Sequence, residues 1–146
     1  MGVLEAICVS VEKGSVKQPV SSAELRESWG IEGDAHAGEW HRQISLLAGE
    51  SIDLVREVLP ELEYGMFGEN LVTRGIDLPR LQVGEWLQVG EAVVLEVTQI
   101  GKECHNGGCV IQQATGDCIM PREGIFCKVL AGGRVTPGSS VVVLSV

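Results

Sequence analysis

The sequence predicts a mainly β domain with minor α content, a closed mixed β-barrel decorated by one main helix and short helical turns. The first observation behind this expectation is the glycine content. Glycine fills 19 of the 146 positions, about 13% against a usual value of about 7%. The second observation is the recurrence of short β-branched runs between those glycines, a pattern typical of strands joined by tight turns.

Six short apolar runs are predicted to be strands, because most are rich in β-branched residues and are bounded by glycine. Closing the sheet would remove its exposed edges, which explains why these strands carry so few edge-protecting charges. The segment from Ser21 to Gly38 carries scattered polar residues and is predicted to be mostly loop. The six runs are Val3–Val11, Leu71–Thr73, Trp86–Val89, Val93–Val97, Phe126–Leu130 and Val141–Val146.

One clear helix is expected between the first strand and the others. Glu50 and Asp53 lie in its early turns, where acidic side chains favour a helix start, and Pro60 is predicted to stop it. A second helical segment is expected around Val110–Thr115. No linker divides the chain, so residues 1–146 are expected to form a single domain. The apolar positions with near-helical spacing are Ile52, Leu54, Val55, Val58 and Leu59.

The charge balance limits the classes of partner. The formal net charge is −9, from 11 basic and 20 acidic side chains. A chain of this charge repels a phosphate backbone, so we expect no nucleic-acid partner, although a few basic groups in a cleft can still bind a small anion. No apolar stretch approaches the roughly 20 residues that cross a bilayer, and the N-terminal residues lack a signal-peptide pattern. We expect a cytoplasmic protein without a membrane partner.

The richest chemical segment runs from Lys102 to Phe126. Cys104 directly follows the most apolar predicted strand, and Lys102 and His105 beside it would favour the reactive thiolate. A free cysteine is also commonly a small buried hydrophobe, so both interpretations stay open here. In a reducing compartment, the odd number of cysteines indicates packing, metal binding or reactivity rather than a disulfide framework.

A zinc site is the alternative interpretation of the cysteines. Four of them are separated by four, eight and eight residues, and structural zinc sites use close pairs with two to four intervening residues, so only the first pair comes near that spacing. We therefore assign no metal ligands, and keep a zinc-stabilised β-barrel interaction module without catalysis as the alternative. The four cysteines are Cys104, Cys109, Cys118 and Cys127.

Two further segments carry candidate binding residues. His36, His41 and Arg42 are either loop residues with backbone hydrogen bonds or the wall of an anion pocket, in which the Arg42 guanidinium forks onto phosphate. Glu69 and Asn70 either shape a turn, or offer an acceptor and a mixed donor–acceptor amide to the edge of a heterocycle.

These segments together resemble the MOSC family, named for the C-terminal domain of molybdenum cofactor sulfurases. The resemblance rests on Gly33-Asp34-Ala35-His36, on Phe67-Gly68-Glu69-Asn70-Leu71, on a cysteine after a long apolar strand, and on the closing Gly132-Gly133-Arg134-Val135 turn. It covers most of the chain. It implies a β-barrel domain that handles the molybdenum cofactor, molybdopterin, or sulfur destined for a metal–sulfur centre.

The resemblance also implies roles for particular residues. Cys104 matches the cysteine that carries persulfide sulfur or contacts the metal, which would make the protein a sulfurtransferase-like sulfur carrier. Cys109 and Cys118 are rival thiols, either of which would resolve a persulfide or a disulfide. Because molybdopterin is anionic, Lys102 and Arg122 join the pocket residues, which are then His36, His41, Arg42, Glu69, Asn70, Lys102 and Arg122.

The resemblance implies protein partners as well. The chain has no pyridoxal-phosphate site of its own, so sulfur would have to come from a separate cysteine desulfurase. The acceptor would be a molybdenum enzyme or a cofactor-biosynthesis protein.

Overall fold

Seven strands close into a β-barrel in the computed structural model, which describes residues 2–13, 15–101 and 123–144. The order around the barrel is β11-β7-β8-β9-β5-β6-β1, and β11 pairs with β1 to close it. The β5–β6 pair is parallel and the other barrel pairs are antiparallel, so the predicted mixed barrel is confirmed. The strands are β1 (Gly2–Val9), β2 (Gln18–Val20), β3 (Ala23–Arg26), β4 (Gly30–Ile31), β5 (Ile44–Ala48), β6 (Leu71–Arg74), β7 (Trp86–Val89), β8 (Val93–Ile100), β9 (Ile125–Ala131), β10 (Gly133–Val135) and β11 (Ser140–Leu144).

The six predicted strands are all present, one of them, Trp86–Val89, with the predicted bounds and the others with shifted ends. The first ends at Val9 instead of Val11, whose side chain is 88% exposed. The segment from Ser21 to Gly38 is mostly loop, as expected, but it also contains β3 and β4, which form a small antiparallel sheet with β10. Strand β3 has no β-branched or aromatic residue and β4 has only two residues, so neither is marked as a strand by its sequence.

The predicted helix is confirmed as α1 (Gly49–Arg56), which joins β5 to β6. Parallel neighbours need such a crossover, because a tight turn cannot connect them. The helix ends four residues before Pro60, and Val58 beyond its end is exposed. A 3₁₀ turn covers Leu78–Arg80. Within the described ranges, no helix has the length and apolar character that a bilayer crossing requires. The second expected helical segment, Val110–Thr115, lies outside the described residues.

The strands next to α1 bury both faces. Leu46 and Leu71 point into the barrel core, whereas their neighbours Leu47 and Val72 pack under the helix against Ile52. This division follows from the alternation of side chains along a strand. It makes β5 apolar at nearly every position and anchors its first residues, which follow the segment that carries His36, His41 and Arg42.

Candidate functional site

A buried lysine lies at the centre of the candidate site. The Lys17 ammonium is fully shielded from solvent and contacts three groups: Asp34 Oδ1 at 2.8 Å, Ser10 Oγ at 3.1 Å and His36 Nδ1 at 3.1 Å. A buried charge is tolerated only when it is paired and hydrogen-bonded, and these contacts meet that requirement. Lys17 therefore links the loop after β1 to the Gly33-Asp34-Ala35-His36 motif.

Asp34 is the counter-charge and also an organiser of the loop. Its Oδ1 accepts the Ser10 backbone N–H at 3.1 Å, and its Oδ2 accepts the His36 backbone N–H at 3.0 Å. Burial by itself would raise the pKa of the Asp34 carboxyl. The hydrogen bond from Lys17 and those from the two backbone N–H groups outweigh burial and hold the pKa below its usual range. Asp34 is therefore ionised at neutral pH.

Glu69 supports Lys17 from behind. Its buried carboxylate accepts the backbone N–H groups of Gly65 at 2.9 Å and Phe67 at 3.0 Å. The Gly65 carbonyl in turn accepts the Lys17 backbone N–H at 3.0 Å, and a Cβ on Gly65 would lie 1.9 Å from the Lys17 carbonyl oxygen. Gly68 has a φ of +79°, a conformation that favours glycine. Burial raises the pKa of the Glu69 carboxyl despite its hydrogen bonds to the backbone.

Asn70 joins three segments in the interior. Its side-chain oxygen accepts the Ser45 backbone N–H at 3.0 Å, and its side-chain nitrogen donates to the Cys8 carbonyl at 3.0 Å. Asn70 thereby ties β1 and β5 to the start of β6. Glu69 and Asn70 are both completely buried, and their polar side-chain atoms bind the protein's own backbone. Their predicted contact with a ligand stays a prediction, and the geometry gives them a positioning role.

The basic side chains of the site surround Trp40. The His36 ring is nearly parallel to it at a centroid distance of 6.3 Å, and the His41 ring meets it edge-on at 5.8 Å. Lys13 Nζ lies 5.0 Å from the Trp40 ring centroid and Arg42 Cζ lies 6.0 Å from it, both within the range of cation–π attraction. We call these five residues, Lys13, His36, Trp40, His41 and Arg42, the Trp40 cluster. The structure thus brings together the three residues that the sequence selected for an anion pocket.

Gln99 on β8 orients two members of the cluster. Its Oε1 accepts Arg42 Nε–H at 3.1 Å and lies 2.8 Å from His41 Nε2, and its Nε2 donates to the Gly101 carbonyl at 2.7 Å. The Arg42 Nε–H can only donate, which assigns the amide oxygen to this side of Gln99. His41 must then carry a proton on Nε2.

The Arg42 guanidinium is a half-buried cation near two aromatic rings, with its Cζ 5.3 Å from the Phe126 centroid and 6.0 Å from the Trp40 centroid. Among the described residues, no carboxylate forms an ion pair with it, and its two Nη groups have no hydrogen-bond partner. The chain has nearly twice as many acidic as basic side chains. A half-buried arginine that has no acidic partner among the described residues keeps hydrogen-bond donors and a charge that suit an anion.

The two cysteines in the described part of the chain are core residues. Burial raises the pKa of the Cys8 thiol to about 12, with the nearby Glu69 charge as the second cause. Burial also raises the pKa of Cys127, which lies inside β9 between Ile44 and Val97. A zinc site would have to draw Cys127 out of the barrel core. Among the described residues, no group of three or more His, Cys, Asp or Glu side chains is placed to hold a metal ion.

Five predicted site residues lie outside the described residues, in the segment that leaves β8 after Gly101 and returns at Glu123. The Gly101 N–H donates to the Gly124 carbonyl at 2.7 Å, so the two ends of this segment are adjacent. Gln99, which orients Arg42, bonds to Gly101 at the same point. The five residues are Lys102, Cys104, Cys109, Cys118 and Arg122.

Sequence reasoning missed Lys17, Trp40 and Gln99. Trp40 had a usable signal, because it lies between the two histidines of a segment already selected for anion binding. Lys17 and Gln99 had none. Their partners are 17 residues away at Asp34 and 57 residues away at Arg42, and only the fold brings them together.

The fold and the site define a class: small closed mixed β-barrels with a cation-rich aromatic cluster beside the end of a long strand. A family model described as the MOSC domain matches residues 33–142. Because that match covers most of the chain, the chain belongs to the MOSC domain family, which is associated with molybdenum cofactor-related proteins.

One curated protein is similar to most of this chain. The uncharacterized protein YflK of Bacillus subtilis (strain 168) is 29% identical over 149 residues, which cover 92% of this chain. The match spans 65% of YflK, so this chain is similar to a part of that protein.

Solved structures share the fold. The YUAD protein from Bacillus subtilis aligns with a TM-score of 0.79 at 22% identity, over 96% of this chain and 93% of that one. YiiM from Geobacillus stearothermophilus aligns with a TM-score of 0.72 at 19% identity, over 99% of this chain and 76% of YiiM. YiiM from Escherichia coli aligns with a TM-score of 0.66 at 22% identity, over 100% and 71%. At these identities the likeness shows the fold alone.

Proposed function

We propose that this chain binds the molybdenum cofactor, molybdopterin, through an anionic group seated on the Trp40 cluster. The observation that carries the proposal is Arg42, a half-buried cation that has no acidic partner among the described residues. Membership of the MOSC family supplies the class of ligand. Acidic side chains predominate elsewhere on the chain and repel an anion. An anion is therefore attracted to this cationic surface in preference to other parts of the protein.

The donors of the cluster fit an anionic group. Arg42 Nη atoms form a planar fork that matches phosphate oxygens, and its Nε is already held by Gln99, so little conformational freedom is lost on binding. The half-exposed His36 ring lies beside the same tryptophan. The Trp40 and Phe126 rings both lie near the Arg42 guanidinium and limit its contact with water. When bound, molybdopterin supplies the dithiolene sulfurs that hold the metal.

We propose further that Cys104 carries persulfide sulfur for this cofactor, with a cysteine desulfurase as the donor. The support is the match of Cys104 to the family's cysteine and its position, three residues along the chain from Gly101. The Cys104 thiolate would attack the outer sulfur of the desulfurase persulfide. A new S–S bond forms at Cys104, the old S–S bond breaks, and the desulfurase cysteine leaves as a thiolate, so no oxidant is consumed. A molybdenum enzyme or a cofactor-biosynthesis protein would accept the sulfur.

Replacing Arg42 by methionine is expected to weaken molybdopterin binding by about 10- to 100-fold, since hydrogen bonds to a charged group contribute about 1.5–3 kcal/mol. The measurement is equilibrium dialysis of the apoprotein against molybdopterin, with the bound pterin quantified by fluorescence after oxidation. Arg80→Met is the matched control, because Arg80 is exposed and pairs with Asp77 away from the cluster. Equal affinities of the two variants, or no pterin binding by the parent, would refute the binding proposal.

Replacing Cys104 by alanine is expected to abolish sulfur transfer to the chain. Purified protein is incubated with a cysteine desulfurase and cysteine, and intact mass is then measured for the addition of one sulfur atom. Cys109→Ala and Cys118→Ala are the controls, and both are expected to gain sulfur at the parental level. If Cys104→Ala gains sulfur as readily as the parent, the carrier is another thiol.

A further inference from the structure

We propose that Lys17 is a positioning residue that keeps the His36 ring neutral, with its ring proton on Nε2. The proposal deepens the binding function above and rests on it for its consequence, although the protonation state itself is a property of the free protein. Neither a motif nor the spacing of the sequence marks Lys17. What marks it is the combination of complete burial and a direct contact with a candidate ligand-binding histidine.

The Lys17 ammonium has three protons, and each needs an acceptor. An ammonium group has three N–H donors and no acceptor. Lys17 Nζ has three polar neighbours within 3.1 Å: Asp34 Oδ1, Ser10 Oγ and His36 Nδ1. The side chain is 0% exposed, so water does not share these donors. Each proton therefore has one acceptor, and the third acceptor is the lone pair on His36 Nδ1.

The hydrogen bond from Lys17 decides which ring nitrogen of His36 carries the proton. A ring nitrogen that accepts a hydrogen bond carries no proton, so the proton of His36 lies on Nε2. Protonating Nδ1 would place an N–H against the N–H of Lys17 and would set two positive charges 3.1 Å apart. Among the described residues, the nearest acidic group is Asp34, whose Oδ2 lies further away, at 3.8 Å from Nδ1.

Both carboxylate oxygens of Asp34 already have hydrogen-bond partners. Its Oδ1 pairs with Lys17 at 2.8 Å, and its Oδ2 accepts the backbone N–H of His36 itself at 3.0 Å. The carboxylate is therefore neutralised by the lysine before it can stabilise a charged imidazole ring. The charged and titratable groups that surround His36 in the described part of the chain are Lys17 and Asp34 at the ring, Glu69 behind Lys17, and Lys13, His41 and Arg42 around Trp40.

The consequence for binding concerns pH. A histidine that titrates near neutral pH gains and loses a charge there, and its attraction for an anion changes accordingly. A neutral ring with a fixed Nε2–H offers the same donor throughout that range. Lys17 thus makes the contribution of His36 to anion binding independent of pH near neutrality, while Arg42 supplies the permanent charge.

The test is histidine NMR on the full chain. Two-bond ¹H–¹⁵N spectra of ¹⁵N-histidine protein report the tautomer and charge of each ring, and the signal lost in His36→Gln assigns His36. We expect Nε2–H, neutral, from about pH 8 down to about pH 5, below the ordinary histidine midpoint near 6.5. A proton on Nδ1, or a ring that becomes charged at or above its ordinary midpoint, would overturn the proposal.

The role of Lys17 is tested by Lys17→Met. Without the ammonium, Asp34 is an unpaired carboxylate 3.8 Å from His36 Nδ1, and we expect the ring to take up a proton at a higher pH than in the parent. A folded Lys17→Met protein with an unchanged His36 titration would contradict the proposal. If this variant does not fold, the parent spectra decide, because they test the same tautomer and charge.

The NMR spectra test the tautomer and charge of His36 separately from the binding of molybdopterin. The tautomer is measured without ligand, so a failure to bind molybdopterin leaves it unchanged. Conversely, Arg42→Met is expected to lose affinity for molybdopterin while its His36 spectra stay parental, because Arg42 does not contact the His36 ring nitrogen. Parental affinity of Arg42→Met together with a neutral Nε2–H ring would reject the binding function and retain the positioning role.

Discussion

Replacing Asn70 by alanine is expected to lower the free energy of unfolding by about 2–5 kcal/mol. The change removes the partners of two groups, the Ser45 N–H and the Cys8 carbonyl, each 3.0 Å from the Asn70 side chain. Each buried group left without a partner costs about 1–3 kcal/mol. A domain of this kind has a total stability of about 5–15 kcal/mol, so this one substitution removes a large fraction of it.

The measurement is equilibrium unfolding in urea at neutral pH. A loss of this size appears as a clear fall in the midpoint concentration with an unchanged slope. Gln82→Ala is the control, because Gln82 is exposed and its side chain makes no hydrogen bond in the described part of the chain. We expect the control to stay within about 0.5 kcal/mol of the parent. An Asn70→Ala protein as stable as the control would show that Asn70 does not join the three segments.

Replacing Asp34 by asparagine is expected to cost about 3–5 kcal/mol at neutral pH, because the change leaves the Lys17 ammonium buried without its counter-charge. The same substitution is expected to reduce the sensitivity of the fold to acid. The pKa of Asp34 is lower in the folded protein than its unfolded value of about 3.9. The stabilisation is therefore present above the unfolded value and is lost as the pH falls through the folded value.

The measurement compares urea unfolding at about pH 7 and about pH 3 for the parent and the variant. The parent is expected to lose more stability between the two conditions than Asp34→Asn. Glu69 has a raised pKa and the opposite sign of pH dependence, but it is present in both proteins, so the difference isolates Asp34. The control is Asp77→Asn, since Asp77 is exposed and pairs with Arg80. Identical acid sensitivity of Asp34→Asn and the parent would argue against an ionised Asp34 in the folded state.

The candidate site was partly accessible from the sequence. His36, His41 and Arg42 lie within seven consecutive positions, so their residue types alone pointed to anion binding, and the structure places them around Trp40. Glu69 and Asn70 could not be assigned in this way. A glutamate whose buried carboxylate accepts two backbone N–H groups looks, in a sequence, the same as a glutamate that faces a ligand. Only the burial of the side chain distinguishes the two.

The strands and the helix show where local pattern is sufficient. The runs that became β7, β8 and β9 contain β-branched or aromatic residues, whereas β3 has neither kind and β4 has only two residues. Strand β5 was missed for a different reason. All five of its residues are buried because the barrel covers one face and α1 the other, and a short continuous apolar run does not distinguish strand from helix.

Composition and residue spacing were enough to predict a glycine-rich β-barrel with a helix near residue 52, and residue types were enough to select His36, His41 and Arg42 as candidate anion-binding residues. Tertiary structure decided that β11 closes onto β1, that β5 runs parallel to β6, and that Lys17 meets Asp34 and His36. The physical reason is that side-chain spacing reports which face of an element is apolar, but not which distant element covers it. A charge such as that of Lys17 is stable in the interior only after separate loops have supplied its acceptors.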